Sequence, residues 1–154
     1  MVYAIIRVRG TINIKPDIKR TLELLRLNRV NHCTIVESNA YYKGMLQKVK
    51  DYTTWGEISK ETLAKLVESR GMLIGDKPIT KEYLESATSY NSYEELSKAI
   101  VNNKLSYKEI PNVKPLFRLH PAKKGLEGIK RSYKNGGALG YRGKDINTLI
   151  EKMI

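Results

Sequence analysis

The chain is poor in the residues that build cross-links and metal centres. Its 154 residues hold one cysteine, Cys33, and two histidines, His32 and His120. A single cysteine excludes an internal disulfide framework and any zinc site built on several thiolates. Two histidines far apart in sequence leave little for a structural metal. No apolar run approaches the roughly 18 residues a membrane-spanning helix needs. The start, Met1-Val2-Tyr3-Ala4-Ile5-Ile6-Arg7, has no long apolar segment and no small-residue cleavage site, so no signal peptide is read. The expectation is a reduced, soluble, cytoplasmic protein.

Acidic residues are also scarce: 16 Asp and Glu stand against 28 Lys and Arg, a formal charge of +12. A chain this basic expects a polyanion, either nucleic acid or an acidic membrane surface. The charge is uneven. Residues 1–50 carry +7, residues 51–107 carry −2, residues 108–144 carry +8 and the last ten carry −1. Two concentrated basic blocks around a mildly acidic middle favour nucleic acid over a diffusely solubilising surface. The length suits one domain, or a small domain with an appendage, and can bury a core without staples.

Hydrophobic patterning gives the organisation. Val2–Val8 reads as a strand. Pro16 opens an amphipathic helix over 16–28, with Ile18, Leu22, Leu25 and Leu24 or Leu27 at helical spacing and Asn28 as the stop. His32–Glu37 reads as a second, buried strand. Residues 39–50 read as a helix with Met45, Leu46 and Val49 inward, and residues 51–58 as a strand interrupted by Gly56. Ser59 caps a helix carrying Leu63, Leu66 and Val67 that stops at Gly71, and Thr80 caps a shorter one. Ser92 and Glu95 form a capping box ahead of Leu96 and Ile100. Residues 104–115 read as irregular and 116–120 as a short strand. A Gly- and Lys-rich stretch over 121–143 follows, and a terminal amphipathic helix begins after Asp145.

The segment Asn135–Gly143 is the most distinctive. Glycines admit a phosphate close to the backbone and let several N–H groups point into one concavity. Lys134, Arg142 and Lys144 flank them. The segment is neither a P-loop nor a dinucleotide fingerprint. Gly137-Ala138-Leu139-Gly140 formally matches the GXXG clamp of KH domains, a pattern that recurs by chance. A plain turn is the competing reading. Lys123, Lys124, Lys130 and Arg131 lie near His120 and Tyr133, a mixture suited to gripping a backbone and stacking on unpaired bases. Arg7 and Arg9 share one face of the first strand and are candidate phosphate contacts. His32 and Cys33 are successive strand residues on opposite faces, which argues against a catalytic pair. No paired carboxylates or triad stand out, and nothing points to an enzyme.

Thr21-Leu22-Glu23-Leu24-Leu25-Arg26-Leu27-Asn28-Arg29-Val30-Asn31-His32-Cys33-Thr34, followed by Met45-Leu46, Val49 and Tyr52-Thr53, resembles the large-subunit ribosomal protein L-thirty family, called L-seven in eukaryotes. The resemblance extends upstream through Tyr3–Arg9. It returns at Phe117-Arg118-Leu119-His120-Pro121 and Gly136–Gly143, segments found in archaeal and eukaryotic members. With the C-terminal addition but no long basic N-terminal extension, the chain looks archaeal in type.

The resemblance implies an α+β fold: a ferredoxin-like β-α-β-α-β core with a small antiparallel sheet and helices on one face. It divides the chain into a core over 1–58 and an extension over 59–154, with a helical module at 59–103 and a basic loop and terminal helix at 104–154. It implies a structural constituent of the large ribosomal subunit that binds and stabilises its rRNA, of the 23S type and with 5S rRNA as a further candidate, beside neighbouring ribosomal proteins. No cofactor, metal, membrane or small-molecule substrate is implied. The candidate RNA contacts, assigned on charge and position, are Arg7, Arg9, Lys43 and Lys48 in the first block. In the second they are Arg118, His120, Lys123, Lys124, Lys130, Arg131, Lys134, Gly136, Gly137, Gly140, Arg142 and Lys144. The segment 135–143 is expected to order on RNA. A free-standing RNA-binding regulator is the alternative function.

Overall fold

The computed structural model describes residues 1–154. The strands are β1 (Val2–Arg7), β2 (His32–Glu37), β3 (Thr53–Glu57), β4 (Phe117–Arg118) and β5 (Gly140–Tyr141). The helices are α1 (Pro16–Leu24), α2 (Ala40–Lys48), α3 (Lys60–Arg70), α4 (Lys81–Ala87), α5 (Tyr93–Val101) and α6 (Ile146–Met153). The strands form one mixed sheet in the order β4-β2-β1-β3-β5. β1 is antiparallel to β2 and β3, β4 is antiparallel to β2, and β5 is parallel to β3. The α+β class and the β-α-β-α-β order of the first 58 residues are as expected. The segment beyond residue 58 adds one short edge strand on each side.

Helices cover both faces of the sheet, where the family resemblance implied one. Tyr3, Ile5 and Trp55 point to Leu22, Leu25, Leu46 and Val49 around α1 and α2. Val2, Ala4, Ile6 and Cys33 point the other way, into a larger core with Leu63, Leu66, Ile100, Ile146 and Ile150 from α3, α5 and α6. All six residues of β1 are therefore buried, as a central strand covered on both sides requires. The irregular stretch after α5 also feeds this core: Tyr107 stacks on Phe117 with ring centroids 4.9 Å apart.

Local signals explain most boundaries. The side chains of Ser59, Thr80 and Ser92 accept the N–H groups of Thr62, Tyr83 and Glu95, one orphan donor at each helix start. Glu95 returns to the N–H of Asn91 rather than to that of Ser92, so only half of the expected capping box forms. Helix α1 ends at Leu24, four residues before Asn28. Arg26 takes a left-handed conformation, with φ at 60°. The Arg26 N–H donates to the Glu23 carbonyl and the Leu27 N–H to the Leu22 carbonyl, both at 2.9 Å. This is a Schellman stop, in which the apolar pair Leu22 and Leu27 stays in one core although the helix has ended. Gly56 does not interrupt β3. A Cβ there would lie 1.9 Å from the Gly143 carbonyl oxygen, so glycine is what lets the turn before α6 cross the strand.

Candidate nucleic-acid interface

The sheet register brings the basic segments to one end of the molecule. Arg7 closes β1 opposite Thr53, the first residue of β3, and Ile6 lies opposite Cys33, near the start of β2. β4 arrives at the same end, with Arg118 opposite His32. β5 leaves from it, with Gly140 beside Thr54. The chain from His120 to Leu139 thus runs from one edge of the sheet to the other around the end of β1. There Val8 packs on Ala138 and Leu139. Along the way the N–H groups of His120 and Lys123 donate to the Met153 and Lys152 carbonyls. That satisfies acceptors at the C-terminus of α6 and sets a lysine by the negative end of its dipole.

This crossing segment is pinned. The Tyr133 N–H donates to the Leu139 carbonyl at 2.7 Å, and those of Gly137 and Leu139 donate to the Ser132 and Arg131 carbonyls. A Cβ on Gly137 would lie 2.1 Å from the Arg131 carbonyl oxygen. Gly137 is therefore a backbone packing point, buried together with Ala138 and Leu139. The glycines build the loop, and the cations on it face solvent.

The proposed contacts separate into two groups. Lys43, Arg118, His120, Lys123, Lys124, Lys130, Arg131, Lys134 and Lys144 are exposed, and Gly136 is an exposed turn residue. Lys48 is exposed and pairs with Asp17 at 2.9 Å. Lys43 and Lys48 lie on α2, apart from the crossing segment. Arg9 is half-buried, with its guanidinium 5.4 Å from the Tyr52 ring centre. The second group is committed to the fold. Arg7 is only 2% exposed. Its Nε donates to the Arg9 carbonyl and its Nη1 to the Leu27 carbonyl, at 2.9 and 2.7 Å. The reading of Arg7 as a phosphate contact on an open sheet face is corrected, because that face carries α1. Arg142 donates to Thr54 Oγ1 and to the Ala138 carbonyl and lies over the Tyr133 ring. Gly140 is half-buried within β5.

Two residues outside the predicted set stand at this end. Arg29 is exposed just before β2, and His32 is partly buried behind it. Burial holds the His32 imidazole below its usual pKa, and the charges of Arg118, Arg29 and Arg7 add to the effect. Asp76 is the local counter-charge. It pairs with Arg118 at 3.1 Å and with Lys114, and these partners hold its carboxyl below the usual range. Nothing in the sequence around Arg29 marks it as a candidate, because the β2–β4 pairing that sets Arg118 opposite His32 joins distant parts of the chain.

The arrangement can hold phosphates and offers no reactive thiol. Cys33 is fully buried, and burial pushes its thiol up to about 12, far from a nucleophilic thiolate. No cluster of three or more metal-ligating side chains occurs. No helix is long and apolar enough to cross a membrane.

Residues 3–53 match the family model described as ribosomal protein L30p/L7e. Similarity to individual proteins runs over nearly the whole chain. The large ribosomal subunit protein uL30 of Methanocorpusculum labreanum is 49% identical over 98% of this chain and 99% of its own length. That of Thermoplasma volcanium is 52% identical over 98% of this chain and 92% of its own. That of Archaeoglobus fulgidus is 47% identical over 98% and 99%. With identity of 47–52% over alignments that span 98% of its length, the chain belongs to the ribosomal protein L30p/L7e family.

Proposed function

We propose that this chain is a structural constituent of the large ribosomal subunit that binds and stabilises large-subunit rRNA. It is not an enzyme. The observation that carries the reading is the convergence of the exposed cations of residues 118–134 on one end of the sheet, in a chain of this family. Lys and Arg there neutralise phosphates where RNA segments crowd together, and release of condensed counterions supplies much of the affinity. Recognition rests on backbone and shape, with little reading of base edges.

Within that role, Arg118, His120, Lys123, Lys124, Lys130, Arg131 and Lys134 form the main RNA contact, with Lys144 and Gly136 at its margin. Lys43 and Lys48 on α2 form a separate, smaller one. The RNA is of the 23S type, with 5S rRNA as a further candidate, and neighbouring large-subunit ribosomal proteins are the other partners. The place of action is the ribosome in the cytoplasm. Sedimentation of extract through a high-salt gradient tests the reading: comigration with large subunits supports it, and a peak in the light fractions points to a free RNA-binding regulator.

A further inference from the structure

Arg7 is a buried cation without an anion. No carboxylate pairs with it, and although Nε and Nη1 have backbone partners, its Nη2 has none. A second orphan lies close by: Nδ1 of His32 is buried and unpartnered. Buried polar groups are nearly always hydrogen-bonded, so two orphans at one place mark a spot that the fold itself leaves uncompensated. The backbone ties them together. The Asn31 N–H donates to the Arg7 carbonyl, and the His32 N–H donates to that of Arg29.

The charges facing His32 come from three directions and share one sign: Arg7 from β1, Arg29 from the turn before β2, and Arg118 from β4. Like charges gathered at a sheet end repel one another unless something anionic compensates them. The one nearby acid, Asp76, lies on Arg118 and Lys114 and makes no pair with Arg29. Asp76 is exposed and its ion pairs are screened, so it can yield Arg118 to a stronger anion.

We infer that Arg29, His32 and Arg118, above the buried guanidinium of Arg7, form a binding site for a single phosphate group of the RNA backbone, an assignment that rests on the rRNA-binding reading. Arg29 and Arg118 are exposed and supply the planar forks that suit phosphate oxygens. His32 is the floor of the site. Arg7 contributes charge from beneath and fixes the geometry without touching the ligand. The Arg118–Asp76 pair holds the Arg118 side chain near the site in the free protein.

The test uses the full chain and sulfate as the probe. The His32 and His120 ring resonances are titrated against pH, first in chloride and then with sulfate replacing chloride at constant ionic strength. A bound dianion among the three arginines raises the His32 pKa, while His120, exposed on the same basic end, responds far less. Arg29→Gln and Arg118→Gln each weaken the sulfate response about tenfold, the effect expected for removing one charge-assisted pair. Both residues are exposed, and a thermal melt confirms that the variants fold. Equal responses of the two histidines, or full responses in both variants, overturn the site. A short oligouridylate that competes with sulfate at His32 supports an RNA phosphate as occupant, and a sulfate response untouched by it overturns that occupant. Wild-type cosedimentation with large subunits in the absence of any sulfate response would remove the site and leave the ribosomal reading standing. Failure to cosediment would remove both.

Discussion

Nη1 of Arg7 donates to the carbonyl of Leu27 at 2.7 Å, joining the end of the central strand to the turn that leaves α1. This bond explains why one of the most basic stretches of the sequence contains an arginine unavailable to RNA. Arg7→Ala removes two backbone-directed bonds and leaves a void beneath α1. It should lower stability by about 2–4 kcal/mol in urea unfolding. Lys123→Ala, on the open loop, should stay within about 0.5 kcal/mol of the parent.

Gly56 and Gly44 should respond oppositely to alanine. At Gly56 the new Cβ meets the Gly143 carbonyl at 1.9 Å, backbone against backbone, whereas nothing lies within 4 Å at Gly44 in α2. Gly56→Ala should cost more than about 3 kcal/mol, by displacing the turn ahead of α6. Gly44→Ala should stabilise by about 0.5–1 kcal/mol through helix propensity. Thermal melts of the two variants check both signs.

Stability should fall as pH drops below the ordinary histidine range. His32 has a lowered pKa in the folded chain, so the unfolded chain takes up its proton first. The contribution is fully present above about pH 6.5, the unfolded value, and is lost as pH falls through the folded one. His32→Gln should flatten this part of the profile. The exposed Asp76, whose carboxyl is also lowered, acts only in the carboxylate range further down. A variant profile as steep as the parent's between about pH 6.5 and 5 would contradict the assignment.

The strands and capped helices are legible in the sequence because their signals are local. The β-branched, apolar run His32–Glu37 has its expected limits, and Ser59, Thr80 and Ser92 each cap the expected helix. The end of α1 is not legible in this way, because apolar spacing continues through Leu27 after the backbone has turned at Arg26. β5 has two residues and so no period, and its partner β3 lies far away in the chain, with Thr54 beside Gly140. The site is legible as composition and much less so as geometry. Charge alone cannot separate Arg131 on an open loop from Arg142, whose guanidinium is held by Thr54 and Ala138. Nor can it reveal that a second helical layer buries the face opposite α1.

Charge reversal should distinguish the basic end from the remaining surface. Lys123, Lys124 and Arg131 changed together to Glu should weaken RNA binding strongly. The salt dependence should flatten too, by roughly one unit of slope for each phosphate no longer neutralised. Reversal of Lys60, Lys65 and Lys81, in the acidic middle segment, should do far less. Equal weakening by both sets, measured by filter binding across a salt series, would contradict the location of the interface.

Sedimentation of cell extract through a high-salt sucrose gradient, with fractions probed for this chain, tests the ribosomal role itself. The chain should comigrate with large ribosomal subunits, an association abolished by RNase treatment and weakened by the Lys123, Lys124 and Arg131 reversal. A peak confined to the light fractions at low and high salt alike would contradict it.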